Sequence, residues 1–158
     1  MNSLLIVLIP VLPLIGFLLN GSLSLQQSRG KAGPQVAFTS IVACLFPFLS
    51  FLLSLYAFSI LLMSSSLVEL RAAHLLDWMV LEQFSLSFGL VIDHLSSVML
   101  LIITGVGSLI HLYSIGYMKE DEAFARYMSY INLFLFFMLI LVMGDSLALL
   151  FVGWEGVG

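Results

Sequence analysis

Two residues of this 158-residue chain combine a reactive side chain with a setting that would put it to use: Glu155 and His111. Glu155 stands in Leu149-Leu150-Phe151-Val152-Gly153-Trp154-Glu155-Gly156-Val157-Gly158, a carboxylate inside an otherwise apolar stretch. If a helix begins near Ser146, a rise of about 1.5 Å per residue places Glu155 roughly 13 Å in, close to the middle of a hydrocarbon core about 30 Å thick. A charge at that depth costs on the order of 3 kcal/mol even on lenient insertion scales, so such groups face a partner or a wet cavity. The chemistry open to it is proton handling. A carboxyl in apolar surroundings holds a proton, and a cation brought beside it releases it. The alternative is a structural ion pair between helices, and the flanking Gly153 and Gly156 suit either, since both need close helix approach. His111 is a candidate proton relay, because imidazole titrates in the useful range; a plain hydrogen bond at the membrane interface is the simpler reading.

The remaining residue types exclude more than they offer. His74, His94 and His111 are far apart in sequence and lack metal-ligand spacing, so no metal is expected. Cys44 is the single cysteine, which rules out an intrachain disulfide and any cysteine-ligated zinc or iron-sulfur site built from this chain alone. Gly105-x-Gly107 lies inside an apolar helix without a preceding strand or a third glycine, so it is not a nucleotide fingerprint. The aromatics are spread through the spans and mark no cofactor box. No cofactor is expected in this chain, and nothing in it would do redox chemistry or hydrolysis. A net charge of -4 with five Lys and Arg leaves no basic footprint for nucleic acid.

The elements that must position these residues are membrane helices. Hydrophobic residues make up 61% of the chain and charged ones 9%, against about 25% charged in soluble domains. The lipid bilayer is therefore the solvent. The fold class expected is an all-α integral membrane protein, a polytopic bundle of about five transmembrane helices with a short external β-hairpin between helices 2 and 3. The first apolar run lacks a preceding Lys or Arg and a following A-x-A site, so it is a retained span and not a signal peptide. That span covers Leu4 to Leu19, kinked at Pro10 and Pro13, with Asn20-Gly21 ending it. Ala32 to Val68 is uncharged over 37 residues, and one long helix is expected over 36–63.

Between Val68 and Asp93 the character changes. Phe84 to Leu90 alternates apolar and small residues, the period of a half-buried strand, and Trp78 to Leu81 could pair with it across Glu82-Gln83. The hairpin would lie flat over the spans or add an edge to a neighbouring subunit. Asp93 is expected to cap a third span from Leu95 to about Tyr117, in which Gly105, Gly107 and Ser108 would let another helix approach. Met118 to Arg126 reads as a charged loop, and Tyr127 to Gly144 as a fourth span in which Asn132 is interhelical glue. Gly144-Asp145-Ser146 is a turn, with Asp145 or Ser146 capping the fifth helix and Asp145 assigned a structural role as a cap. Two portions are expected: 1–91, a helix pair plus hairpin, and 92–158, the start of a transport domain. A helix ending at Gly158 has not crossed the bilayer, so the chain is expected to be an N-terminal part of a longer protein. Arg29, Lys31, Lys119 and Arg126 fall in the first and third loops and Arg71 alone in the second, which predicts the N-terminus and hairpin outside.

Two blocks resemble a known family. One runs Ile92-Asp93-His94-Leu95-Ser96-Ser97-Val98-Met99-Leu100, then Thr104-Gly105-Val106-Gly107 and His111-Leu112-Tyr113-Ser114-Ile115-Gly116-Tyr117-Met118. The other runs Arg126-Tyr127-Met128-Ser129-Tyr130-Ile131-Asn132-Leu133-Phe134, leading to Gly144-Asp145-Ser146-Leu147 and Gly153-Trp154-Glu155-Gly156-Val157-Gly158. Together they resemble the antiporter-like subunit 5, or L, of respiratory complex I, NADH-quinone oxidoreductase, with Mrp-type antiporter subunits as more distant relatives. The likeness is specific from Ile92 onward; earlier, only the layout of two spans and a hairpin agrees.

The resemblance implies that Glu155 matches the family's W-E-G glutamate on the fifth helix, which pairs across a hydrated half-channel with a lysine on the seventh and gates proton movement coupled to quinone reduction elsewhere. It implies a role for His111 as well, on the third helix. The expected partners are the other membrane subunits of complex I, a neighbouring antiporter-like subunit among them, the lipid bilayer and protons, in a bacterial inner membrane. His94 stands where many relatives have proline or glycine, which would alter only the helix start. An Mrp-type antiporter or membrane-bound hydrogenase subunit would use the same helices, and a non-transporting scaffold would use Glu155 only for pairing.

Overall fold

The computed structural model describes residues 2–28, 36–63, 69–81 and 84–158, with side chains described throughout these except at 72–81 and 84–87. Arg29, Lys31 and the expected turn Glu82-Gln83 lie outside the described residues, as do the side chains of His74, Asp77 and Trp78. The element order is α1 (Ser3–Ser28), α2 (Val36–Met63), β1 (Leu70–Leu81), β2 (Phe84–Ile92), α3 (His94–Met118), α4 (Phe124–Met143) and α5 (Leu147–Val157). Helices α1 to α4 are each long and apolar enough to cross a membrane, whereas α5 has only 11 residues. The chain is a multi-pass membrane protein of helical architecture with one small antiparallel sheet.

Helix α1 does not stop at Asn20-Gly21 as local propensity suggests; it runs on to Ser28. Asn20 is fully buried and its Nδ2 donates to the Thr39 carbonyl of α2 at 3.4 Å, while Gly21 packs against Ser129 of α4. Interhelical packing thus overrides the turn signal. Pro10 and Pro13 lie inside the helix, and Pro13 has no N–H to offer the Ile9 carbonyl one turn back. Ser50 of α2 supplies the missing donor, its Oγ bonding Ile9 O at 2.7 Å. A backbone acceptor freed in an apolar environment is otherwise costly, so this bond explains how the helix tolerates the proline. Ser129 Oγ of α4 donates likewise to Phe17 O at 3.1 Å.

Helix α2 matches its expected bounds. The hairpin is longer than expected, pairing from Leu70 with Ile92 to Leu81 with Phe84, with irregular register between Ala72 and Leu76 and between Asp77 and Met79. Its base is built into the bundle: Leu70, Leu90 and Ile92 are buried with Ile6, Ile9, Leu61, Leu139 and Met143. A second, smaller core at the other end gathers Ala43, Phe124 and Met128.

Helix α3 begins as expected. Asp93 accepts the Ser96 N–H at 2.7 Å while the Ser96 hydroxyl accepts the Asp93 N–H at 2.8 Å, a reciprocal capping box. Gly105 and Gly107 do not serve one neighbour: Gly105 faces Phe51 of α2 and Gly107 faces Leu135 of α4, because residues two apart point about 200° apart around a helix. Helix α4 begins at Phe124, three residues earlier than expected, so Arg126 belongs to the helix. The Asp121 carboxylate turns the chain into it by accepting the Ala123 N–H at 2.6 Å.

Candidate functional site

Glu155 lies on α5, and two glycines decide where that helix can sit. A Cβ on Gly153 would fall 2.6 Å from the Leu141 nitrogen of α4, and one on Gly156 would overlap the Phe137 ring. The close α4–α5 contact is possible only because both positions lack a side chain. Gly153 and Gly156 thus occupy the face toward α4, and Glu155 and Trp154 are exposed on the outer side of the bundle.

Depth follows from the same contact. Gly153 is level with Leu141, so Glu155, two residues on, is level with about Leu139, roughly 6 Å from the Met143 end of α4 at about 1.5 Å per residue. Counting along α5 alone suggests the middle of the bilayer, but α5 starts beyond the end of α4. The carboxylate therefore lies toward the hairpin end of α4. Among the described residues the one ion pair is Glu69–Arg71, at 2.6 Å and exposed, so no described cation neutralises Glu155.

Of the two residues expected to cap α5, one does so. Ser146 is the N-cap, its Oγ accepting the Leu149 N–H at 3.3 Å. Asp145 is not a cap. Its Oδ1 accepts the Gly89 N–H at 2.9 Å, its own N–H donates to Gly89 O at 3.1 Å, and Leu90 and Gly144 form a β-bridge. A Cβ at Gly89 would meet this carboxylate, so a side chain there would have to displace it. Asp145 ties the hairpin to the turn that launches the Glu155 helix.

His111 is brought close to neither. It sits in α3 seven residues before Met118, about 10 Å from that end of the helix, and is buried (2% exposed). Its Nδ1 bonds the Gly107 carbonyl at 2.7 Å; a carbonyl only accepts, so Nδ1 carries the proton. Nε2 is buried without a partner among the described residues. Asn132 is likewise not the interhelical bond expected: its Nδ2 returns to Met128 O of its own helix at 2.9 Å. Polar bonds between spans among the described residues include those of Asn20, Ser50, Ser129 and the Ser114–Tyr127 pair at 3.2 Å. Sequence reasoning passed over Ser50 and Ser129; the proline four residues past Ile9 was the available signal for the first.

At the start of α3, the capping box also sets the titration of Asp93. The Ser96 side chain, and then its backbone N–H, hold the Asp93 carboxyl below the usual carboxylate value.

Comparison with known proteins finds the chain similar to one family. Residues 78–128 match the family described as NADH-Ubiquinone oxidoreductase (complex I), chain 5 N-terminus, a segment covering α3 and the start of α4 but not Glu155. The chain is 42% identical over 151 residues to NADH-ubiquinone oxidoreductase chain 5 of Arabidopsis thaliana, covering 96% of this chain and 21% of that protein. It is 38% identical over 148 residues to chain 5 of Dictyostelium discoideum, covering 94% and 21%. It is 37% identical over 152 residues to NADH-quinone oxidoreductase subunit L of Rickettsia typhi, covering 96% and 22%. The likeness therefore reaches well before Ile92, into the helix pair and hairpin. Over nearly its whole length this chain is similar to the NADH-quinone oxidoreductase subunits called chain 5 or subunit L, and it spans about a fifth of their length.

Proposed function

We propose that this chain is part of a proton-translocating membrane subunit of NADH-quinone oxidoreductase, and that Glu155 is a gate beside the proton path, not a redox centre. The observation that carries the reading is the setting of Glu155: a carboxylate on an apolar helix, turned away from its own bundle, with no described cation in reach. A charge so placed needs a partner from another element, and a cation that approaches and withdraws switches the carboxyl between holding and releasing a proton. The names of the relatives favour an oxidoreductase over an Mrp-type antiporter or a hydrogenase.

In this reading the partners are other membrane subunits of the same complex, a neighbouring antiporter-like subunit among them, and the transported species is the proton. The cofactors and the electron transfer belong elsewhere in the complex, and the chain sits in an energy-converting membrane with its N-terminus and hairpin on the outer side. The relatives come from plant, Dictyostelium and Rickettsia alike, so the relationship does not select a bacterial membrane. Glu155→Gln in the intact protein tests the role. It should sharply lower NADH-driven proton uptake into vesicles while the assembled complex keeps its abundance. Normal uptake, or lost assembly with normal uptake per complex, would instead favour a purely structural carboxylate.

A further inference from the structure

The buried polar groups of the bundle are concentrated in one layer. Four side-chain atoms among the described residues are buried without a hydrogen-bond partner: Asn20 Oδ1, Thr39 Oγ1, His111 Nε2 and Asn132 Oδ1. They come from four different helices, and each of their residues is at most 2% exposed. Interhelical contacts fix their relative heights. Gly107 packs on Leu135 and Ser114 meets Tyr127, so in this antiparallel pair His111 is level with Asn132 to within about a residue. Asn132 Oδ1 is aimed at Gly16, and Asn20, one turn further along α1, donates to the Thr39 carbonyl. The four orphans therefore fall within about one helical turn of height, near 5 Å. The layer is distinct from the Glu155 site: Asn132 is seven residues from Leu139, about 10 Å along α4, with buried Leu135 between.

The chemistry of the four atoms decides what can complete them. Both Asn Oδ1 atoms are acceptors only. With Nδ1 of His111 carrying the proton, Nε2 of the neutral ring is an acceptor too. Thr39 has one hydroxyl proton, so three acceptors face at most one donor. The packing leaves all four without a partner among the described residues, and buried polar groups in proteins are nearly always paired. The missing component is a small neutral donor with protons to spare, and water, with two, is the one that reaches a membrane interior and bridges such groups.

We infer that the layer formed by Asn20, Thr39, His111 and Asn132 is an internal water site, holding ordered water that donates to the three acceptors and bonds the Thr39 hydroxyl. His111 thereby gains a proton-exchange partner inside the bundle. That consequence rests on the proton-translocation reading above; the hydration itself does not.

The test uses two methionines of this chain as internal probe and control. Met128 and Met143 are both fully buried, Met128 beside the layer, where its carbonyl accepts from Asn132, and Met143 in the apolar core under the hairpin. X-ray radiolysis generates hydroxyl radicals from bound water in place, and mass spectrometry of the intact protein then reads sulfoxide at each site. Oxidation of Met128 several-fold above that of Met143 is expected; equal oxidation overturns the inference. Thr39→Val, which keeps the shape and removes the hydroxyl, gives an independent sign. If water bonds that hydroxyl, the variant lowers Tm by about 2–4 °C. If the layer is dry, the variant removes an unpaired polar group and Tm rises or stays, which also overturns the inference.

Discussion

Replacing Gly153 with alanine is the sharpest perturbation of the Glu155 helix that leaves its chemistry untouched. The added Cβ would lie 2.6 Å from the Leu141 nitrogen and 2.7 Å from its Cα, both backbone atoms of α4 that no rotamer change can move. Ordinary contact is about 3.5–4.0 Å, so the two helices must separate by about 1 Å at this point. Overpacking of that kind costs roughly 1–3 kcal/mol. That should lower the stability of the purified protein without abolishing the fold, since α1 to α4 do not depend on this contact. The functional effect should be larger than the stability effect, because misplacing a reacting group by about 1 Å can cost on the order of 100-fold in rate. The assay pairs thermal denaturation with NADH-driven proton uptake, normalised to assembled complex. A variant with native stability and native uptake would refute the close-contact geometry. One that is destabilised yet pumps normally would refute the dependence of function on the placement of Glu155.

Three further perturbations probe what holds the site. Ser50→Ala leaves the Ile9 carbonyl, already deprived of a donor by Pro13, without a partner inside the bundle; the loss should be about 1–3 kcal/mol by denaturation, and Pro13→Ala in the same background should restore much of it. Asp145→Ala removes the acceptor for the Gly89 N–H and should cost roughly 1.5–3 kcal/mol, toward the low end because Asp145 is exposed, with faster limited proteolysis of the hairpin as the readout. Asp93→Asn has a pH signature. The native carboxyl is held below its ordinary value by Ser96, so its charged form stabilises the fold above the unfolded-state value, and that contribution fades as pH falls through the folded-state one. The stability difference between native and variant should be present at neutral pH and close in acid; a difference independent of pH contradicts the cap.

The membrane architecture was legible because each span is an uninterrupted apolar run and the bilayer sets its length. The start of α3 was legible because Asp93 and Ser96 form a local motif, and α2 because nothing within it competes with a helix. What misled was decided between helices. Asn20-Gly21 carries a turn signal that only contact with Thr39 and Ser129 overrides, and Asp145 resembles a cap until Gly89 is found beside it. Glu155 stood out in the sequence by its type and neighbours. Its height against α4 did not, because that depends on how far α5 starts beyond α4. The buried layer was harder still: Asn20, His111 and Asn132 drew notice separately and Thr39 not at all, and only the register of four helices brings them level.

The central claim is that Glu155 takes up and releases a proton during turnover, and infrared difference spectroscopy of the intact complex tests it most directly. Under NADH-driven turnover a protonated-carboxyl stretching band should appear or disappear, and it should be absent from the Glu155→Gln variant. A native difference spectrum identical to that of the variant in the carboxyl region would contradict the account.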